Sequence, residues 1–145
     1  MVPSPNGDFE TGNLTGWTSA GSTQVTTAAA HTGSYGVQVG STDPSSDSSV
    51  TQTFTAPAGS STPSFWYNVT CNDTVQYDWA SATLTDNTTG TTTTVLADTC
   101  ALGAGWQNAT ASVTPGHSYT LTLANHDDAN PGDPTHTYYD VVTVS

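Results

Sequence analysis

The sequence predicts an all-β, single-domain fold, an antiparallel sandwich or barrel, on three observations. No stretch of the 145 residues sustains a 3.6-residue apolar period. Thr, Val and Tyr dominate the segments that look ordered. Clusters of Gly, Pro, Asn and Asp cut those segments at short intervals. At this length one domain suffices, with a core of moderate size.

Taken in order, residues 1–5, with Pro3-Ser4-Pro5 behind an added Met1, read as linker, and 6–145 as the domain. Strands are expected over 7–10, 16–20, 23–28, 35–40, 49–55, 63–70, 75–85, 92–97, 107–113, 118–125 and 137–144. Turn signals separate them, among them Asn87 to Gly90, Pro115-Gly116 and Ala129 to Pro134. Successive side chains on a strand point to opposite faces, so Phe65, Tyr67 and Val69 share one face and Trp66, Asn68 and Thr70 the other. Ala80, Ala82 and Leu84 make a core face, opposite Tyr77, Trp79, Ser81 and Thr83. Tyr119, Leu121 and Leu123 point inward. Two tryptophans and a tyrosine thus fall on faces otherwise made of Thr, Ser and Asn. Two readings fit: a stacking platform for a ligand with flat apolar faces, such as a sugar ring, or a second small core covered by 41–49 or 126–134. A surface for a partner protein is a third.

Composition excludes more than it identifies. The chain has no Lys or Arg, 12 Asp and Glu, and a formal net charge of −12. Binding nucleic acid or an anionic membrane surface needs cations, and there are none. No run is long enough to span a bilayer. Without ammonium or guanidinium partners, each carboxylate must be solvated, hydrogen-bonded, paired with histidine or bound to a metal. Hard oxygen ligands select calcium. Glu10, the sole glutamate, follows Asp8 in Asn6-Gly7-Asp8-Phe9-Glu10, and Asp140 interrupts the apolar run Tyr138 to Val142. The two ends are therefore expected to meet and share a cation. Cys71 and Cys100 are an even pair in a chain of extracellular composition, so a disulfide is expected, the alternative being two buried thiols. No signal peptide is visible, and the chain reads as one mature module of a larger secreted multidomain protein.

Chemistry-bearing clusters are few. His126-Asp127-Asp128 opens the most acidic stretch, which runs to Asp133 and reads as a solvated loop, as sugar contacts, or as a second cation site. Its spacing is not that of an EF-hand. Alternation puts Asp78 on the core side, where a carboxylate needs a partner; His126, His136 or backbone amides are candidates. His126 and His136 alone do not complete a zinc site. No nucleophile elbow, metalloprotease motif or Cys-His signature is present, so no catalytic activity is expected.

Asn6 to Glu10 with Gly16-Trp17, His31-Thr32-Gly33-Ser34-Tyr35-Gly36-Val37, and Tyr139-Asp140-Val141-Val142 resemble the jelly-roll carbohydrate-binding modules of the galactose-binding-domain-like group, appended to secreted bacterial hydrolases. The middle of the chain, including Phe65-Trp66-Tyr67, Tyr77-Asp78-Trp79 and Trp106, resembles a subgroup of C-terminal modules on secreted enzymes, peptidases included. The resemblance spans essentially the whole chain and implies a jelly-roll β-sandwich. It also implies a structural Ca2+ held by the side chains of Glu10 and Asp140, with Asp8, Thr32 and Ser34 as carbonyl donors. One carboxylate of the group's usual last strand is absent, since the chain reads Asp140-Val141-Val142. The expected function is non-catalytic polysaccharide binding through Trp66, Tyr77 and Trp79, assisted by His126, Asp127 and Asp128. Stacking needs no positive charge, so a neutral glycan suits the acidic chain. The alternative is a structural or protein-interaction accessory domain of a secreted enzyme.

Overall fold

The computed structural model describes residues 2–3, 6–41, 47–56, 58–59, 62–127 and 135–144. Among them the strands are β1 (Val2–Pro3), β2 (Thr18–Ala20), β3 (Thr23–Thr26), β4 (Gly36–Gly40), β5 (Asp47–Thr55) and β6 (Pro63–Thr70). β7 (Trp79–Asp86), β8 (Thr91–Thr99), β9 (Gln107–Thr110), β10 (Ser118–His126) and β11 (His136–Val144) complete the set. Every pairing is antiparallel. One sheet runs β3-β4-β11-β6-β9, with β1 also paired to β11; the other runs β2-β5-β10-β7-β8. The protein is an antiparallel β-sandwich, as its alternation predicts.

The expected inward residues line the space between the sheets. Phe65, Val69, Ala80, Ala82, Leu84, Tyr119, Leu121 and Leu123 are all buried. Tyr139 bridges the layers: from β11 its hydroxyl donates to the carbonyls of Ala124 on β10 and Ser81 on β7, at 2.6 and 3.2 Å. Burial holds that phenol protonated far above its usual range.

Several expectations about elements change: the strand expected over 23–28 ends at Thr26, with Thr27–Ala29 forming a 3-10 helix, and that over 107–113 ends at Thr110. Residues 7–10 form a turn, not a strand: Asn6 and Phe9 adopt left-handed φ of 50° and 57°, which no strand tolerates. The turn drives Phe9 into the core against Trp17, ring centroids 5.2 Å apart, while the Trp17 indole donates to the Asn6 carbonyl at 3.0 Å. Residues 75–77 also form a turn, so β7 begins at Trp79. Val2–Pro3, read as linker, pairs with Thr143 and Val144 of β11.

Cys71 and Cys100 form a disulfide with Cα atoms 5.3 Å apart. Cys71 follows β6 in one sheet and Cys100 follows β8 in the other, so the bond ties the two layers at one end.

Candidate functional site

The two chain ends do meet. Val142 donates its N–H to the Gly7 carbonyl at 2.8 Å, and a bulge after Asp140 places Val141 at φ 53°. The buried Asp140 carboxylate accepts from the N–H groups of His31 (2.8 Å), Thr32 (3.3 Å) and Val141 (2.8 Å). Glu10 accepts from Ser34 (2.8 Å) and Tyr35 (2.7 Å). Both carboxylates therefore grip one loop, 31–35. Gly33 has a φ of +69°, which favours glycine, and an added Cβ would lie 2.7 Å from the Glu10 carboxylate and displace it.

Thr32 and Ser34, expected as carbonyl donors, present N–H groups to these carboxylates. Asp8 accepts from the Glu10 N–H at 3.3 Å, closing a turn. Burial, reinforced by the nearby charge of Glu10, raises Asp140 to about 6, although the amides of His31, Val141 and Thr32 pull the other way. Asp140 Oδ2 accepts from both His31 and Thr32, which leaves Asp140 Oδ1 and the two Glu10 oxygens, each accepting once, as the oxygens with a lone pair for a hard divalent cation. Among the described residues no group of three or more His, Cys, Asp or Glu side chains comes together.

The expected aromatic platform divides. Trp66 stands on β6 and Trp79 on β7, in different sheets, each alternating with core residues, so the two indoles face away from one another. Trp66 is half-buried, and a loop other than those expected lies against it. His31 stacks on it with centroids 4.3 Å apart and planes 12° apart, Trp106 meets His31 edge-on at 5.0 Å, and Tyr138 lies 6.4 Å from Trp106. Trp66 thus anchors the loop that Glu10 and Asp140 hold.

Trp79 lies over the outer face of the five-stranded sheet. It pairs in register with His126 on β10, which pairs with Asp47 on β5. The Trp79 and His126 rings stack at 4.2 Å and 23°, and His126 Nδ1 is hydrogen-bonded to Asp47 Oδ1. These three side chains border a cleft of about 290 Å3 whose other lining includes Ala20, Ser49, Ser81, Thr122 and Ala124. The strand registers order that floor in rows: Ser49, Ala124 and Ser81, then Thr51, Thr122 and Thr83. The cleft thus offers one indole, one imidazole–carboxylate pair and a floor of hydroxyls. Such a surface stacks on a flat C–H face and hydrogen-bonds neutral polar groups.

The other expected site residues divide as well. Tyr77 is half exposed, on the turn that precedes Trp79. Asp127 alternates with His126 and is buried at 1 % exposure, which removes it from the surface. Asp128 lies outside the described residues. Asp78 is fully buried and accepts from the Thr135 hydroxyl at 2.7 Å, a partner the sequence did not suggest. His126 and His136 stand on the outer faces of opposite sheets. Asp47 is the residue sequence reasoning missed. Beginning β5 two residues earlier would have put Asp47, Ser49, Thr51 and Thr53 on one outward face.

No family model matches the chain, and no curated protein matches it. Solved structures do. The carbohydrate-binding module TmCBM61, solved with β-1,4-galactotriose, aligns at a TM-score of 0.75 and 18 % identity, over 100 % of this chain and 99 % of that one. A second, Family 16 Carbohydrate Binding Module-2, aligns at 0.66 and 14 % identity over 98 % of both chains. The K2 cleaved adhesin domain of Lys-gingipain aligns at 0.61 and 16 % identity over 95 % of this chain and 96 % of that one. The chain therefore has the jelly-roll β-sandwich fold found in carbohydrate-binding modules.

Proposed function

We propose that the protein is a non-catalytic binding module that takes a neutral saccharide into the cleft beside Trp79. One observation carries the reading: Asp47, His126 and Trp79 stand side by side across three neighbouring strands, at the head of a hydroxyl-lined sheet face. A sugar ring lying on the indole would leave its hydroxyls to Asp47, Ser49, Ser81 and Thr122. Carboxylated sugars would meet the Asp47 charge and a −12 chain with no cationic partner. The likeness to TmCBM61 supports this reading at the level of fold.

In this reading Glu10 and Asp140 hold a structural calcium that locks loop 31–35, and the calcium takes no part in recognition. The disulfide and the acidic, cation-free surface suit a module of a larger secreted protein. Among the described residues no helix is long and apolar enough to cross a membrane.

A second reading, an accessory module that contacts another protein, draws on the likeness to the gingipain adhesin domain. Affinity electrophoresis and calorimetry against soluble β-1,4-linked galactan, glucan, xylan and mannan separate the two. Saccharide binding that Trp79→Ala abolishes and Trp66→Ala leaves intact supports the first. No binding across the panel overturns it.

A further inference from the structure

Val75, Tyr77 and Leu102 stand out among the described residues as large apolar side chains left exposed, at 48, 50 and 67 %. They sit on two loops that the disulfide draws together. Cys71 donates its N–H to the Ala101 carbonyl at 2.9 Å, Cys100 Sγ lies 3.0 Å from the Asp73 carbonyl oxygen, and Cys71 Sγ lies 3.7 Å from that of Asp78. Tyr77 donates its N–H to the Thr74 carbonyl at 3.0 Å, which fixes the turn. Large exposed apolar side chains carried on two adjoining, braced loops can serve as a contact surface.

Their loops adjoin the cleft. Asp78 joins the turn to Trp79, and Thr99, next to Cys100, pairs with Ala80, next to Trp79. The braced loops therefore continue from the Trp79 end of the cleft. At about 290 Å3 that cleft lies at the small end of ligand pockets, so a longer saccharide must leave it.

We infer that a saccharide chain leaving the cleft continues over Trp79 onto a shelf made by Tyr77, Leu102 and Val75, and that this shelf reads chain length. The inference rests on the saccharide reading of the cleft. Tyr77 offers a second ring for stacking, the aliphatic pair lies under C–H faces, and the exposed amides Asn72 and Gln76 flank them. No cation is present, so the chain that suits the shelf is again neutral. The disulfide keeps the shelf ordered before the ligand arrives, which lowers the entropic cost of contact.

Calorimetry with β-1,4-linked galacto-, gluco-, xylo- and manno-oligosaccharides of two, four and six residues tests this. For the series that binds, affinity should rise from the disaccharide to the tetrasaccharide. Tyr77→Ala combined with Leu102→Ser should cost roughly three- to tenfold on the longer ligands. Disaccharide affinity should stay unchanged, because neither side chain lines the cleft. Disaccharide binding with no rise on lengthening, or a rise that survives the double substitution, overturns the shelf while leaving the cleft. If the unaltered protein binds no oligosaccharide of any length, the cleft reading fails and the shelf fails with it.

Discussion

Trp79 and His126 stack their rings at 4.2 Å across the β7–β10 pairing, and the same imidazole is hydrogen-bonded to Asp47 on the next strand. The imidazole is thus fixed against the indole at the cleft edge. Trp79→Ala should lower saccharide affinity at least tenfold, about 1.4 kcal/mol. Trp66→Ala should instead cost about 2 kcal/mol of stability by uncovering loop 31–35 and leave affinity intact. Denaturant titration beside calorimetry measures both. Equal losses of affinity in the two variants would contradict the division of the aromatics between faces.

Asp140 carries a sign that the calcium reading must satisfy. Its pKa is raised to about 6, so the stability it supplies is fully present below 3.8 and is lost as the pH rises through about 6. At pH 7.5 the ionised side chain is a liability unless a cation offsets it. In EDTA, Asp140→Asn should melt below the parent, since its single oxygen cannot accept from all three N–H groups. In millimolar calcium the parent should gain melting temperature and the variant should not. A parent curve indifferent to both additions would remove calcium from the account.

His136 titrates in the opposite sense. It is buried at 9 % exposure, Nδ1 has no hydrogen-bond partner among the described residues, and desolvation depresses its pKa below 6.5. The unfolded chain therefore binds the proton first. The contribution of His136 is fully present above pH 6.5 and is lost as the pH falls through the lower folded value. Melting temperature should decline less between pH 7 and 5 in His136→Asn than in the parent. Superimposable pH profiles would refute the assignment.

The Thr135 hydroxyl is a partner of the fully buried Asp78 carboxylate. Thr135→Val keeps the shape and deletes that donor, so it should cost about 1–3 kcal/mol by chemical denaturation. Thr135→Ser should recover most of the loss. A neutral Thr135→Val would mean that other donors suffice for Asp78.

Removing the disulfide should cost about 3–4 kcal/mol, from the entropy of closing a loop whose ends lie 29 residues apart. Cys71→Ser with Cys100→Ser, measured in urea, checks the magnitude. A loss below 1 kcal/mol would show that backbone pairing alone holds that end.

What the sequence revealed depended on the range of the interaction. Period-two alternation is local, and it correctly assigned Phe65, Ala80 and Leu123 to the interior and Trp66 and Trp79 to outward faces. It could not say which sheet each strand joins. That is decided by pairings such as β6 with β11 and β7 with β10, between segments far apart in sequence. The single platform expected from both indoles failed for that reason. So did any chance of finding Asp47, whose role comes from a neighbour 79 residues away. The pairing of the chain ends was legible because carboxylates without cationic partners are conspicuous. That backbone N–H groups would meet them was not, because sequence shows side chains and not the direction of amides.

β11 is the last strand in sequence, yet it lies inside its sheet, between β4 and β6, and also receives β1. Half of the sandwich therefore cannot close until the final residues of the module have been synthesised. Nascent chain leaving the ribosome would expose the inner faces of β4 and β6 without their central neighbour, and native-like order would come only after the C-terminal segment arrives.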